Sequence, residues 1–210
     1  MKVDIVNSAG SKTGKQVELS DEVFGIEPND HAIYLAVKQY MANQRQGTHK
    51  AKEKSEISGS TRKLHRQKGT GGSRKGSIKS PLFHGGARVF GPKPRDYSFK
   101  LNKKVKELAR KSALSYKAKD NGLIVLEDMK LEKPKTSEYA KMLKNLGLAG
   151  KRTLMITADN DQTIYKSGRN IPKTEIMTAS NLNTYAIMKA SCIVLSESSV
   201  SVINEMMSSN

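Results

Sequence analysis

Acidic residues follow three short apolar runs of this chain, at the positions where an α/β enzyme carries its chemistry. Glu127 and Asp128 follow Leu123-Ile124-Val125-Leu126, Asp159 and Asp161 follow the run 154–157, and Glu197 follows Cys192-Ile193-Val194-Leu195. Ligands of open α/β sheets bind outside the carboxyl ends of the strands, so these acids are the candidates for general acid–base work. The competing reading is helix capping and turn chemistry, with Asn160 or Asp161 and Ser196 or Ser198 as caps. No nucleophile–base pairing, phosphate turn or metal motif accompanies the acids, which favours capping. The glycine-rich runs are near-misses. Gly69-Thr70-Gly71-Gly72-Ser73-Arg74 begins like a dinucleotide fingerprint but ends in Arg rather than Gly or Ala. Gly71 to Gly76 has the spacing of a phosphate-binding loop, yet Ser77 stands where its lysine belongs, and neither run follows an apolar strand.

Metal and thiol chemistry fare no better. His31, His49, His65 and His84 are far apart and have no neighbouring ligand cluster, so neither a metal nor a cofactor is expected. His65 and His84 read instead as surface or base-stacking residues. The single cysteine, Cys192, excludes an intramolecular disulfide and sits in an apolar run, where a buried, inert thiol is expected.

What remains is charge. The 210 residues hold 37 Lys and Arg against 20 Asp and Glu, a net charge of +17. A polyanion is therefore the first partner to consider, nucleic acid ahead of membrane. The apolar runs are far shorter than the roughly 20 residues of a membrane span, and Met1-Lys2-Val3-Asp4 has no apolar core behind it, so a cytoplasmic protein is expected. The surplus is concentrated. Residues 45–100 contain 15 Lys and Arg against three acids (Glu53, Glu56 and Asp96), a net +12, together with nine of the 16 glycines. With 11 apolar residues among 56, this stretch cannot build its own core. Its candidate RNA-binding residues are Arg45, Lys50, Lys52, Lys54, Arg62, Lys63, His65, Arg66, Lys68, Arg74, Lys75, Lys79, Arg88, Lys93 and Arg95.

A loop far beyond about 12–15 residues is functional or disordered, and this one is expected to be poorly ordered in the free protein. Charge-assisted hydrogen bonds alone do not offset the entropy of fixing it. Ordering calls for burial and shape contact on many sides, as inside a large RNA rather than on a single duplex. Leu64, Ile78, Leu82, Phe83, Val89, Phe90, Tyr97 and Phe99 are the residues to wedge or stack among bases. Gly71, Gly72, Gly85 and Gly86 would let the backbone pass close to RNA, and Pro92 and Pro94 would stiffen the return.

The flanks must position this loop. Short alternating runs around residues 3–6 and 15–19, separated by Gly10 and Gly14, predict a hairpin. Pro28-Asn29-Asp30 starts a helix capped by Asn29 or Asp30, with Ile33, Val37, Tyr40 and Met41 as its apolar stripe. A second helix begins after Lys100, capped by Asn102, with Val105, Leu108, Ala109, Ser112 and Tyr116 on one face. Its other faces carry Lys103, Lys104, Lys106, Arg110, Lys111, Lys117 and Lys119, balanced by Glu107 alone. Such a run is either a solvated face or an RNA contact; Lys103 and Lys104 are the two carried as RNA-binding candidates. Beyond Gly122, buried strands at 123–126, 154–157, 175–177 and 192–195 alternate with helices at 137–146, 162–168 and 184–190, and a last helix spans 200–207. This order predicts an α/β fold: a mostly parallel open sheet with helices on both faces. Residues 1–44 and 101–210 form the globular domain, and 45–100 an extended basic loop inserted near its N-terminal third.

Several consecutive motifs carry a family signature. Arg45-Gln46-Gly47-Thr48, Arg66-Gln67-Lys68-Gly69-Thr70-Gly71, Gly76-Ser77-Ile78-Lys79-Ser80-Pro81-Leu82-Phe83 and Phe90-Gly91-Pro92-Lys93-Pro94-Arg95-Asp96-Tyr97, leading into Asn102-Lys103-Lys104-Val105, resemble the bacterial large-subunit ribosomal protein four family. The likeness extends through Leu114-Ser115 and the 123–127 strand and covers essentially the whole chain. The resemblance implies a globular domain on the surface of the large ribosomal subunit, no enzymatic activity and no small-molecule substrate. It implies a loop threaded through ribosomal RNA to the peptide exit tunnel, with Arg66, Gln67, Lys68, Gly69, Thr70 and Gly71 at the tip near another ribosomal protein. Lys68 matches the lysine through which this family influences macrolide binding. Early subunit assembly, and in some bacteria binding of the messenger leader of its own operon, are implied as well. The chain departs from the family at Leu64-His65, where Pro-Trp is usual, at the thinned Gly72-Ser73-Arg74-Lys75, and at His84-Gly85-Gly86-Ala87. Two other readings stand beside this one: a non-ribosomal RNA-binding regulator, and a doubly wound enzyme using Glu127, Asp128 or Asp161 with a basic substrate-binding insertion.

Overall fold

The computed structural model describes residues 1–129 and 131–208. The chain divides into two units, one of Met1–Met41 with Lys100–Asn210 and one of Ala42–Phe99. The first unit holds a six-stranded sheet in the order β2-β1-β3-β6-β4-β5. Its strands are β1 (Lys2–Val6), β2 (Lys12–Glu18), β3 (Leu123–Leu126), β4 (Thr153–Thr157), β5 (Thr174–Thr178) and β6 (Cys192–Ser196). Every neighbouring pair is parallel except the β1–β2 hairpin. The helices are α1 (Asp21–Phe24), α2 (Asp30–Asn43), α3 (Lys103–Lys119), α4 (Thr136–Asn145), α5 (Gln162–Gly168), α6 (Thr184–Lys189) and α7 (Glu197–Ser208).

The central strands are continuously apolar because both of their faces are covered. Successive side chains point to opposite sides. Leu154 and Ile156 of β4, with Ile193 and Leu195 of β6, join one core with Phe24, Leu114, Ile187 and Ile203 from α1, α3, α6 and α7. Met155 and Val194, on the other face, join Tyr139, Met142 and Leu143 of α4 and Ile164 of α5. Cys192 belongs to this second cluster, and burial raises its thiol pKa.

Three sequence-based expectations need correction. Met41 is 55% exposed, and the face α2 buries is Ala32, Ile33, Ala36 and Gln39, since small side chains let the helix approach Ala109 closely. The buried face of α3 is likewise small and partly polar, namely Ala109, Ser112, Ala113, Leu114, Ser115 and Ala118, while Leu108 is 39% exposed. Asn102 occupies the N-cap position of α3 but makes no side-chain capping bond. The short helix α1 was not anticipated. Asn29 does cap α2, its Oδ1 accepting from the Ala32 amide at 3.0 Å. Hydrogen bonds fix the start of α2 to α3: the Asn29 amide donates to Ser112 Oγ at 3.1 Å, and Tyr116 Oη donates to Asp30 Oδ1 at 2.5 Å.

Candidate nucleic-acid interface

Between Asn43 and Lys103 no residue lies in a helix or strand. Glycine and cation content deny this stretch both an apolar face and a regular ladder. Its two limbs nevertheless pair. The Arg95 amide donates to Gly47 O at 3.2 Å, Ala51 to Pro92 O at 3.0 Å, Arg88 to Lys52 O at 3.2 Å and Leu64 to Gly76 O at 3.2 Å. Ser77 Oγ donates to Ser60 O at 3.0 Å. Nearer the turn, His65 Nε2 lies 2.8 Å from Ser73 O; a carbonyl only accepts, so Nε2 carries the proton. The chain reverses within residues 66–72. Arg66, Gln67, Lys68, Gly69, Thr70 and Gly71 are all exposed there, and Lys63 Nζ donates to Gln67 Oε1.

Two glycines have internal reasons to be glycine. Gly47 has a φ of +65°, and a Cβ there would lie 2.0 Å from Arg95 O. A Cβ on Gly86 would lie 2.0 Å from Ser80 O, so the close approach at Gly86 is to its own unit.

The acids of this segment are taken up locally. Glu53 pairs with Lys93 at 2.5 Å and Glu56 with Lys50. Asp96 accepts from the Ser98 amide and Oγ, both at 2.8 Å. These hydrogen bonds lower the pKa of Glu56 and of Asp96. Lys50 and Lys93 are therefore the two candidate cations that carry a carboxylate partner; the other 13 of the 15 Lys and Arg in residues 45–100 have none among the described residues. Arg45, Lys52, Lys54, Arg62, Lys63, Arg66, Lys68, Arg74, Lys75, Arg88 and Arg95 are exposed, and Lys79 and His65 are half-buried. Leu82 and Phe90, 92% and 96% exposed, are the apolar side chains most open to a stacking partner. Phe83 instead lies under Lys75, and Tyr97 under Arg45 and Arg95.

Lys103 and Lys104 belong to the other unit, exposed in the first turn of α3, which has no acid. Cations at a helix N-terminus oppose the helix dipole, so this placement costs local stability unless an anion joins it.

The strand-end acids do structural work. Asp161 Oδ1 caps α5, accepting from the Thr163 amide at 2.8 Å and Ile164 at 3.4 Å, and its pKa is lowered, chiefly by the hydrogen bond from the Thr163 hydroxyl. Asp128 Oδ1 accepts from the Ser198 amide at 3.1 Å and Oγ at 2.8 Å, and Ser196 Oγ accepts from the Ser199 amide at 3.3 Å, which holds the start of α7. Clefts of about 450 Å³ beside Glu127 and Asp128 and about 380 Å³ beside Asp159 and Asp161 open at these strand ends. The hydroxyls that meet these acids, Ser198 on Asp128 and Thr163 on Asp161, lie at the starts of α7 and α5, and no metal-binding group of His, Cys, Asp or Glu exists among the described residues. No described helix is long and apolar enough to cross a membrane.

The fold thus sets a mostly parallel sheet with capped helices in one unit, and in the other a set of cations without a carboxylate partner among the described residues. The chain belongs to the ribosomal protein L4/L1 family, whose family model matches residues 17–206. It is 60% identical over 205 residues to the large ribosomal subunit protein uL4 of Parabacteroides distasonis, covering 98% of each chain. It is 57% identical to the uL4 proteins of Phocaeicola vulgatus and Bacteroides fragilis, over 208 and 207 residues, 99% of this chain and all of each relative.

Proposed function

We propose that this chain is a structural, non-enzymatic component of the large ribosomal subunit in the cytoplasm, and that residues 45–100 bind its ribosomal RNA. The observation that carries the reading is the charge state of that segment: its three acids are engaged within it, and 13 of its 15 cations lack a carboxylate partner among the described residues. Such a surface is completed by phosphates. Exposed Leu82 and Phe90 add apolar contact to splayed bases. In the finer reading, the protein joins the subunit early in assembly beside neighbouring ribosomal proteins, and the 66–71 turn reaches the wall of the peptide exit tunnel. The messenger leader of its own operon is a second RNA with the same chemistry.

Sedimentation of a lysate before and after a high-salt wash tests the main reading. Co-sedimentation with the large subunit that survives the wash is expected. Release at moderate salt, or a mostly free pool, overturns it in favour of a surface-bound factor or regulator. A photo-crosslinking residue at Lys68 tests the finer reading: a crosslink to a stalled nascent chain is expected, and none forms if the turn lies elsewhere.

A further inference from the structure

Tyr97 lies beneath two guanidinium groups. Arg45 Cζ is 3.7 Å and Arg95 Cζ 4.5 Å from its ring centroid, so the two carbons are at most 8.2 Å apart. Neither guanidinium has a carboxylate within 4.0 Å among the described residues, and the adjacent Asp96 is held by Ser98. Two like charges this close repel unless an anion joins them.

The arrangement is built by the fold of the unit itself. Gly47 O accepts from the Arg95 amide, which closes the root of the two limbs. A Cβ on Gly47 would lie 3.0 Å from Tyr97 Cε2 as well as 2.0 Å from Arg95 O, so glycine there admits both the ring and the strand-like crossing. An aromatic ring engages the flat face of a guanidinium, and a guanidinium fork grips phosphate with two hydrogen bonds. Arg95 also bonds the Tyr97 hydroxyl, which lowers the tyrosine pKa, so Arg45 is the fork the ring leaves open.

We infer that Arg45, Arg95 and Tyr97 form a phosphate clamp, in which one ring orients two guanidinium groups toward backbone phosphates of a single RNA strand. The clamp rests on the RNA-binding reading above and adds to it a neutral residue, Tyr97, as the positioning element.

The test is binding of the full chain to an in vitro transcript of bacterial large-subunit ribosomal RNA at fixed salt. Tyr97→Leu keeps every charge and is expected to weaken binding about 5- to 30-fold, the loss of two cation–π contacts at exposed sites. Tyr97→Phe keeps the ring but loses the hydroxyl that Arg95 and His49 reach, and is expected to bind more tightly than Tyr97→Leu. Arg45→Lys keeps the charge and the ring but loses the fork, and is also expected to weaken binding. Arg45→Gln is expected to cost less in the Tyr97→Leu background than alone, because the ring no longer orients the guanidinium. Native affinity for Tyr97→Leu, native affinity for Arg45→Lys, or full additivity of Arg45→Gln with Tyr97→Leu overturns the clamp while leaving RNA binding intact. No binding by the native chain removes the RNA-binding reading, and the clamp with it.

Discussion

Raising the salt concentration from 50 to 200 mM is the perturbation to which the unpaired cations answer most directly. Each phosphate neutralised by a Lys or Arg releases condensed counterions, and the affinity falls with a logarithmic slope of about 0.7–0.9 per phosphate. Over this fourfold interval each contact therefore costs about threefold. Thirteen cations without a carboxylate partner among the described residues set the ceiling for residues 45–100. If six to ten of them meet phosphates, affinity for large-subunit ribosomal RNA falls about 10³–10⁵-fold. Filter binding at several salt concentrations reads the slope. The two ion pairs sharpen the test. Glu56→Gln frees Lys50 from its partner, so the slope is expected to steepen by about one contact and the affinity to rise. A nearly flat salt dependence in the native chain would refute the assignment of RNA binding to this segment. A Glu56→Gln chain that binds more weakly would show that the ion pair shapes the segment rather than withholding a cation from RNA.

Limited trypsin digestion of the free protein is expected to cut within residues 45–100 first and leave the flanking parts associated; uniform resistance would mean that the segment is packed without RNA. Asp161→Ala should lower the stability by about 1 kcal/mol through loss of the α5 cap, read as a lower melting temperature. The Asp161 pKa is depressed on folding, so this contribution is fully present above the ordinary aspartate pKa and disappears as the pH falls through the lowered value; the native and Asp161→Ala stabilities should converge in acid. Tyr139 is buried in the second core cluster with its hydroxyl donating to Met155 Sδ at 3.3 Å. Tyr139→Ala should cost about 3–5 kcal/mol in chemical denaturation, and Tyr139→Phe far less, because only a weak hydrogen bond to sulfur is lost.

The sheet was legible because its signal is carried by apolar side chains in short runs. Strands β3, β4, β5 and β6 fall within a residue of the runs at 123–126, 154–157, 175–177 and 192–195. The helix faces were less legible, and for one reason. Ala32, Ala36 and Ala109 make a close contact through small side chains, and Ser112 and Ser115 are buried on α3 with hydrogen-bond partners. Hydropathy favours Leu108 and Met41 over these residues, and the structure leaves both exposed. At the candidate interface, the excess of cations was visible in composition. The pairing of Glu53 with Lys93 and the stacking of Arg45 on Tyr97 were not, because each joins residues about 40–50 positions apart through limbs with no periodic pattern.

The placement of charge sets the open clefts of this α/β sheet apart from a catalytic site. A general acid or base needs a carboxylate whose oxygens face a substrate. Asp128 and Asp161 each have Oδ1 committed to the amides that begin α7 and α5, so substituting them should lower stability. In residues 45–100 the local logic is reversed: the few acids are satisfied within the segment, and the cations are left over. An anion that joins neighbouring cations such as Arg45 and Arg95 relieves the repulsion between them. The RNA partner proposed above would supply that relief through closely spaced negative charges on one chain. A phosphodiester backbone has them, and isolated surface carboxylates of a protein partner do not.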